Sequence, residues 1–466
     1  MSSGALADLV EFGSANAMDS LLVIRHGQMV VEAHYAPFRP GIKHVVNSAT
    51  KAIVGTLAGI AFKDGALGPL EQPVLDLFPE RRIANVDANK KAMTLGGLLD
   101  LISGLDWREP LNNVSETMPQ MTRSRDWVGF VLDRPMAQAP GLAFNYNSGS
   151  WHLLSAILTK QTQRNTLDYA KQKLFTPLGI TDVTWQADPQ GIPIGGYGLF
   201  MHPRDMAKIG YLYLHKGRWA EQQILDPTWV ERVYQARVDM QLGTSPSFHY
   251  AVGWWTIPEK HVYMAVGYLR QLIIVLPDAD VVAVVTGKMH YSIPALIDRI
   301  NGAVKSETSL PSDSDASTRL AGRIKDAATE KPSAVGPASA LARTLSGKAY
   351  RFQSNAFGMK SFVLDLVSSK PSYELVLDGS LRGLPDLRIS AALGLDGFFR
   401  TNENSGDQLV AVKGRWLDET SFELVSHALS EGIVTTSILT FDGDEVVVDV
   451  KDNRGFRNHL VGSSKN

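Results

Sequence analysis

The chain has 466 residues, 44% of them hydrophobic and 20% charged, with a formal net charge of -2 and no cysteine. That length exceeds one ordinary core, so at least two domains are expected of a globular protein. Near-neutrality offers nothing to nucleic acid or an anionic membrane, and the lack of cysteine excludes disulfides, thiolate metal sites and a cysteine nucleophile.

The opening "MSSGALADLVEFGSANAMDS" has no basic n-region and no apolar core of signal-peptide length. No apolar run is long enough to span a bilayer. The expectation is a cytoplasmic protein with no membrane partner, although a chain trimmed of a leader would read the same.

In chain order, "DSLLVIRHGQMVVEAHY" (19–35) predicts a hairpin around His26-Gly27. "HVVNSATKAIVGTLAGIAFKDGAL" (44–67) predicts a buried helix, with small and apolar residues at helical spacing and Gly65 as its stop. Residues 74–240 read as helices and loops, including "TLGGLLDLISG" and "SWHLLSAILTKQTQ". Strands return with "YAVGWWTI", "VYMAVGY" and "QLIIVLPDADVVAVVTG", the last a hairpin turning at Pro277-Asp278-Ala279-Asp280. Strands at both ends with helices between them predict an α+β domain over residues 1–302 whose termini share one antiparallel sheet flanked by helices. Residues 303–345 are rich in Ser, Ala, Asp, Lys and Pro and read as a linker with one short helix. Alternating runs such as "YELVLDG" and "VTTSILTFDGDEVVVDV" predict a small all-β barrel or sandwich over residues 346–466.

Ser48 and Lys51 stand three apart, one helical turn, where the buried helix begins. A serine needs an adjacent base to act as a nucleophile, and a lysine serves if burial keeps its amine neutral. The plainer alternative makes Ser48 a helix cap and Lys51 a solvated first-turn residue. "FNYNSGSW" sets Tyr146, Asn147 and Ser148 on a loop before another buried helix. A tyrosine there could act as a second base or pass a proton to a leaving group, or simply pack with its hydroxyl satisfied. Gly267 in "MAVGYLRQ" sits inside a strand, which is unfavourable unless something approaches its backbone closely or the strand bulges.

Ser-x-x-Lys, a Tyr loop and a Gly-bearing strand, in that order, resemble the serine β-lactamase and penicillin-binding-protein superfamily. "SATKAIVGTLAGIAFKDGAL", "LLDLISGLDW", "GGYGLFMHPRDMAKIGYLYLHKGRW" and "YAVGWW" are more similar still to class C-like hydrolases: family VIII carboxylesterases and 6-aminohexanoate-dimer hydrolases. The resemblance covers residues 19 to about 300, and the strand-rich tail looks like the lipocalin-like extension of some members. It implies Ser48 as acylated nucleophile, Lys51 as base, Tyr146 as the motif tyrosine and Ser148 at the third motif position. It implies an oxyanion hole from the backbone N–H groups of Ser48 and Tyr268, with Gly267 beside the bound acyl group. At the Lys-Thr-Gly motif this chain has Ala265, Val266 and Gly267, and so lacks the usual carboxylate anchor. Arg270 is a candidate replacement or an ordinary surface residue.

The resemblance also implies that the loop "SGLDWREPLNN" (103–113) rims the cleft, with Trp107 as an apolar wall and Glu109 or Asp106 available to a substrate amine; the plainer alternative is a solvated loop with Asp106 capping. Asn112 belongs to the same loop. The eleven histidines show no metal-binding spacing, so no metal and no cofactor are expected. The leading expectation is a serine hydrolase of a small-molecule ester or amide. Alternatives are a D-aminopeptidase or D-amidase, a weak β-lactamase, or a catalytically silent binding protein on this fold. The partner is the small-molecule substrate, without nucleic acid, and a homodimer is compatible with the chain.

Overall fold

The computed structural model describes residues 1–111, 115–236, 238–355, 358–379, 386–403 and 409–465. Asn112 lies outside them.

Two compact units emerge. The first takes residues 1–13, 20–33 and 43–320. Its centre is an eight-stranded sheet in the spatial order Gln28–His34, Met18–Arg25, Val281–Gly287, Gln271–Leu276, Val262–Gly267, Trp254–Ile257, His249–Ala251 and Val238–Asp239. The amino-terminal hairpin therefore pairs with the last strand of the unit, as strands at both sequence ends predict. Gly27 (φ +72°) makes the first turn and Asp280 (φ +49°) the second.

The strands Gln271–Leu276 and Val281–Gly287 are buried along their whole length. Both faces are covered, which is why they read as continuous rather than alternating apolar runs. The helix Pro203–Leu214 lies against them at Gly210, where a Cβ would come within 2.6 Å of Val282 and 2.8 Å of Ile273. The helix Thr50–Lys63 is buried continuously from Thr50 to Ala61. Its small residues are the condition for that burial: a Cβ on Gly55 would meet the Val252 carbonyl at 2.1 Å, and one on Gly59 would meet Trp229 at 2.7 Å.

The second unit takes residues 14–19, 34–42 and 321–466. It is a nearly closed, ten-stranded sheet running from Ala349 to Ser463, its strand pairs antiparallel, around a core containing Tyr350, Phe362, Trp416, Phe422 and Phe441. Phe38 and Ile42 belong to it because they bury against Ala411 and Leu429. Within residues 303–345 stands a 15-residue helix, Ser314–Ala328, with no buried residue. Its polar composition lets it form without contributing to a core. Among the described residues no helix is long and apolar enough to cross a membrane.

Candidate active site

Ser48 lies in a single 3₁₀ turn, Asn47–Ala49, that runs directly into the helix Thr50–Lys63. The N-cap of that helix is Ala49, which makes no side-chain cap bond. The Ser48 hydroxyl is thus not spent on capping. Asn47 precedes it in the left-handed region (φ +48°), a conformation asparagine tolerates better than most residues. Its amide Nδ2 donates to the Tyr268 carbonyl at 3.1 Å, tying the turn to the end of the Val262–Gly267 strand.

Gly267 explains how the two backbones come so close. A Cβ there would stand 2.2 Å from the Val46 carbonyl oxygen. The strand pairs in unbroken register from Tyr263↔Val275 to Gly267↔Gln271, so the glycine marks a close approach rather than a bulge. The near neighbour is the turn that carries Ser48. Ala265 and Val266 are buried, at 0% and 7% exposure.

Lys51 is 1% exposed. Its Nζ lies 3.1 Å from Ser48 Oγ, 3.0 Å from Ser148 Oγ and 2.8 Å from the Gly196 carbonyl. It also sits 4.7 Å from the Tyr146 ring centroid. Burial pushes its pKa down to about 8, against the opposing charge of Glu109. The amine is therefore accessible as a free base near neutral pH. This is not a solvated surface lysine.

Asn147 caps the helix Ser148–Thr162 by accepting the Ser150 N–H at 2.9 Å. The cap delivers Ser148 to Lys51 and leaves Tyr146 just before it. Tyr146 is buried beside the Lys51 amine, and the nearby Ser48 hydroxyl offsets only a little of the effect of that burial on its phenol. Burial, reinforced by the charge of Glu109, holds its phenol far above the ordinary value, so it stays protonated.

The loop residues divide. Glu109 faces the site: its Oε1 accepts the Ser148 hydroxyl at 2.7 Å, and its Oε2 accepts the Ser148 N–H at 2.8 Å and the Trp107 indole N–H at 2.7 Å. Trp107 is 3% exposed and packs where a Cβ on Gly149 would meet it at 2.7 Å. It supports the loop from within. Asp106 pairs with Arg134 at 2.7 Å. Arg270 donates through Nε to the Tyr291 carbonyl at 2.8 Å, so its stem is held by the following segment. Tyr268 is 46% exposed.

Two contributors escape a reading by motif. Gly196, in "GGYG", supplies the carbonyl that accepts from Lys51, and a Cβ there would come 2.9 Å from Ser148 Cβ. The Val252-Gly253 turn of "YAVGWW" backs the same lysine: a Cβ on Gly253 would meet the Lys51 carbonyl at 2.5 Å. In both cases the available signal is a glycine outside any helix stop, which often marks a backbone packed against another backbone.

Residues 11–299 match the family model described as Beta-lactamase. A 6-aminohexanoate-dimer hydrolase from Paenarthrobacter ureafaciens is 24% identical over 267 residues, covering 54% of this chain and 67% of that protein. Among solved structures, EstCE1, described as a hydrolase with promiscuous acyltransferase activity, matches with a TM-score of 0.53 at 16% identity, over 65% of this chain and 99% of its own. An octameric penicillin-binding-protein homologue from Pyrococcus abyssi matches with a TM-score of 0.52 at 14% identity, over 99% of this chain and 100% of its own. Likeness at these identities carries the fold.

Proposed function

The chain belongs to the Beta-lactamase family, and on that premise we propose that it is a serine hydrolase cleaving ester or amide bonds through an acyl-enzyme on Ser48. The observation that carries this reading is the buried Lys51 amine, 3.1 Å from a serine hydroxyl that caps no helix.

In this mechanism Lys51, as the neutral amine, takes the Ser48 proton while Oγ attacks the acyl carbon. The developing oxyanion is held by the backbone N–H groups of Ser48 and Tyr268. Tyr146 is protonated at all working pH values, so it acts as a proton relay to the leaving group rather than as a tyrosinate base. Collapse releases the alcohol or amine and leaves the acyl group on Ser48. Water then attacks the acyl carbon, its proton passing to Lys51; the acyl–Oγ bond breaks, the acid leaves, and Lys51 returns the proton to Ser48 Oγ.

The substrate is proposed to be uncharged at the position of the family's third motif, since Ala265 and Val266 supply neither cation nor hydroxyl there. Losing a charge-assisted hydrogen bond costs ~1.5–3 kcal/mol, about ten- to a hundredfold in rate or affinity. A β-lactam carboxylate would bear that loss and a neutral ester would not. Peptides with a free amine are disfavoured as well, because the Glu109 and Asp106 carboxylates are already engaged by protein donors.

A fluorophosphonate probe should label Ser48, with peptide mass mapping to locate the adduct. A p-nitrophenyl butyrate over nitrocefin preference in kcat/KM is expected. A preference for nitrocefin would overturn the substrate class, and labelling elsewhere would overturn the nucleophile.

A further inference from the structure

We propose that Glu109 is a positioning residue that fixes the direction of the Ser148 hydroxyl and thereby aims the lone pair of neutral Lys51 at Ser48. The inference rests on the acyl-enzyme reading and adds to it the device that makes Lys51 a directed base.

An ammonium Lys51 has three N–H groups, and three oxygens surround it: Ser48 Oγ, Ser148 Oγ and the Gly196 carbonyl, at 3.1, 3.0 and 2.8 Å. The neutral amine has two N–H groups and one lone pair. The lone pair needs a donor, and a carbonyl cannot be one. Either hydroxyl could be, so two arrangements compete. In one, Ser48 donates to Lys51 and is activated. In the other, Ser148 donates, and the base is spent on a spectator.

Glu109 breaks the tie. Its Oε1 takes the Ser148 hydroxyl proton at 2.7 Å. With that proton committed, Ser148 can only accept from Lys51. The two N–H groups then go to Ser148 and Gly196, and the lone pair is left facing Ser48.

The carboxylate is itself held in register. Its Oε2 receives the Trp107 indole N–H at 2.7 Å and the Ser148 backbone N–H at 2.8 Å. Both are obligate donors, so that oxygen must remain an acceptor. Glutamine has the same outline but not the same polarity. Its oxygen satisfies Trp107 and the Ser148 amide, which turns its NH₂ toward Ser148 Oγ. The Ser148 proton is then driven toward Lys51, which is the unproductive arrangement.

Glu109→Gln should therefore lower kcat by about a hundredfold with little change in KM, the size of a lost general-base contribution. The rise of kcat/KM with pH should also move to lower pH, because the Glu109 charge favours the Lys51 ammonium. A purely structural role would not give a kcat loss that a second substitution rescues. Ser148→Ala removes the misdirecting hydroxyl and should cost only about tenfold, and adding it to Glu109→Gln should raise activity to the Ser148→Ala level. Multiplicative losses in the double variant would overturn the proposal, as would an unchanged kcat and pH limb in Glu109→Gln. Should Glu109→Gln not fold, Ser148→Ala carries the test, and wild-type kcat in that variant overturns it. Fluorophosphonate labelling of the wild-type enzyme separates the two layers. Failure to label Ser48 sinks the acyl-enzyme reading, whereas labelling with an indifferent Glu109→Gln sinks only the directing role.

Discussion

Two lysines in the first unit are almost completely removed from solvent, Lys51 at 1% and Lys90 at 0% exposure, and they are held in different ways. Lys90 lies on the short helix Ala88–Lys91, capped by Asp87, and its Nζ donates to the carbonyls of Ala84 and Leu132 at 2.8 and 2.9 Å. Both acceptors are main-chain oxygens, which take protons and never give them. Such a site suits an ammonium that ties loops together. Lys51 has two hydroxyls among its three partners, and a hydroxyl can reverse its role. Burial lowers the pKa of both. Burial alone therefore does not distinguish a base from a structural cation; the chemistry of the neighbours does.

The largest test of this contrast is to remove what Lys51 would activate. Ser48→Ala should lower kcat by at least ~10⁴-fold, the scale seen when a nucleophile is deleted from an acyl-enzyme site. Its melting temperature should stay close to wild type, since the hydroxyl caps no helix. Substantial residual ester hydrolysis would refute the assignment.

Next come the lysines themselves. Arginine keeps the charge but cannot give up its proton, so Lys51→Arg should lose ~10²–10⁴-fold in kcat. Lys90→Arg should remain within a few-fold of wild-type activity. Equal losses at the two positions, measured with one p-nitrophenyl ester, would erase the distinction drawn here.

The pH profile sharpens it further. A base that must be deprotonated gives a kcat/KM that rises about tenfold per pH unit and levels off above the pKa. For Lys51 that plateau should begin near pH 8. A flat profile from about pH 6 to about pH 9 would show that the amine is not the base. The same ionisation acts on stability in a defined direction. Between about 8 and the ordinary 10.5, the unfolded chain holds a proton on Lys51 that the folded chain has lost, so this group's contribution to stability should increase with pH across that window.

The smallest effect is expected from Lys90→Met. Two charge-assisted hydrogen bonds disappear and leave buried carbonyls behind, at ~1.5–3 kcal/mol for each bond lost. In a unit of this size each kcal/mol is worth ~2–4 °C in Tm. Thermal unfolding should register that shift while kcat is preserved. A catalytic defect without destabilisation would mean that Lys90 is more than a tie.

The legibility of these features in the sequence follows their physical range. The shared sheet of the first unit was readable because strands such as "QLIIVLPDADVVAVVTG" declare themselves by local apolar runs and turn residues. Ser48, Lys51, Tyr146 and Ser148 were readable as candidates because spacing and motif are local too, and the structure brings all four together. Partnership was not. Trp107 and Glu109 sit in one loop, but only the folded chain shows the indole turned inward and both carboxylate oxygens facing donors. Nor could pattern alone assign residues 34–42 to the second unit, since Phe38 and Ile42 find their partners at Ala411 and Leu429, hundreds of positions away.

The contact between Gly267 and the Val46 carbonyl has a consequence for how such a protein can change over generations. Between the Ser48 turn and its neighbouring strand, main-chain atoms meet main-chain atoms at Gly267. The Asn47 amide, bonded to the Tyr268 carbonyl, spans the same gap, so the spacing depends on the glycine and the asparagine together. Positions 265 and 266, which here carry alanine and valine, lie outside that contact and are constrained instead by their burial in the sheet. Position 267 is held by the contact itself: any side chain would wedge the two backbones apart. A change at position 267 would therefore reach the Ser48 turn directly, whereas one at 265 or 266 would reach it only through the packing of the sheet.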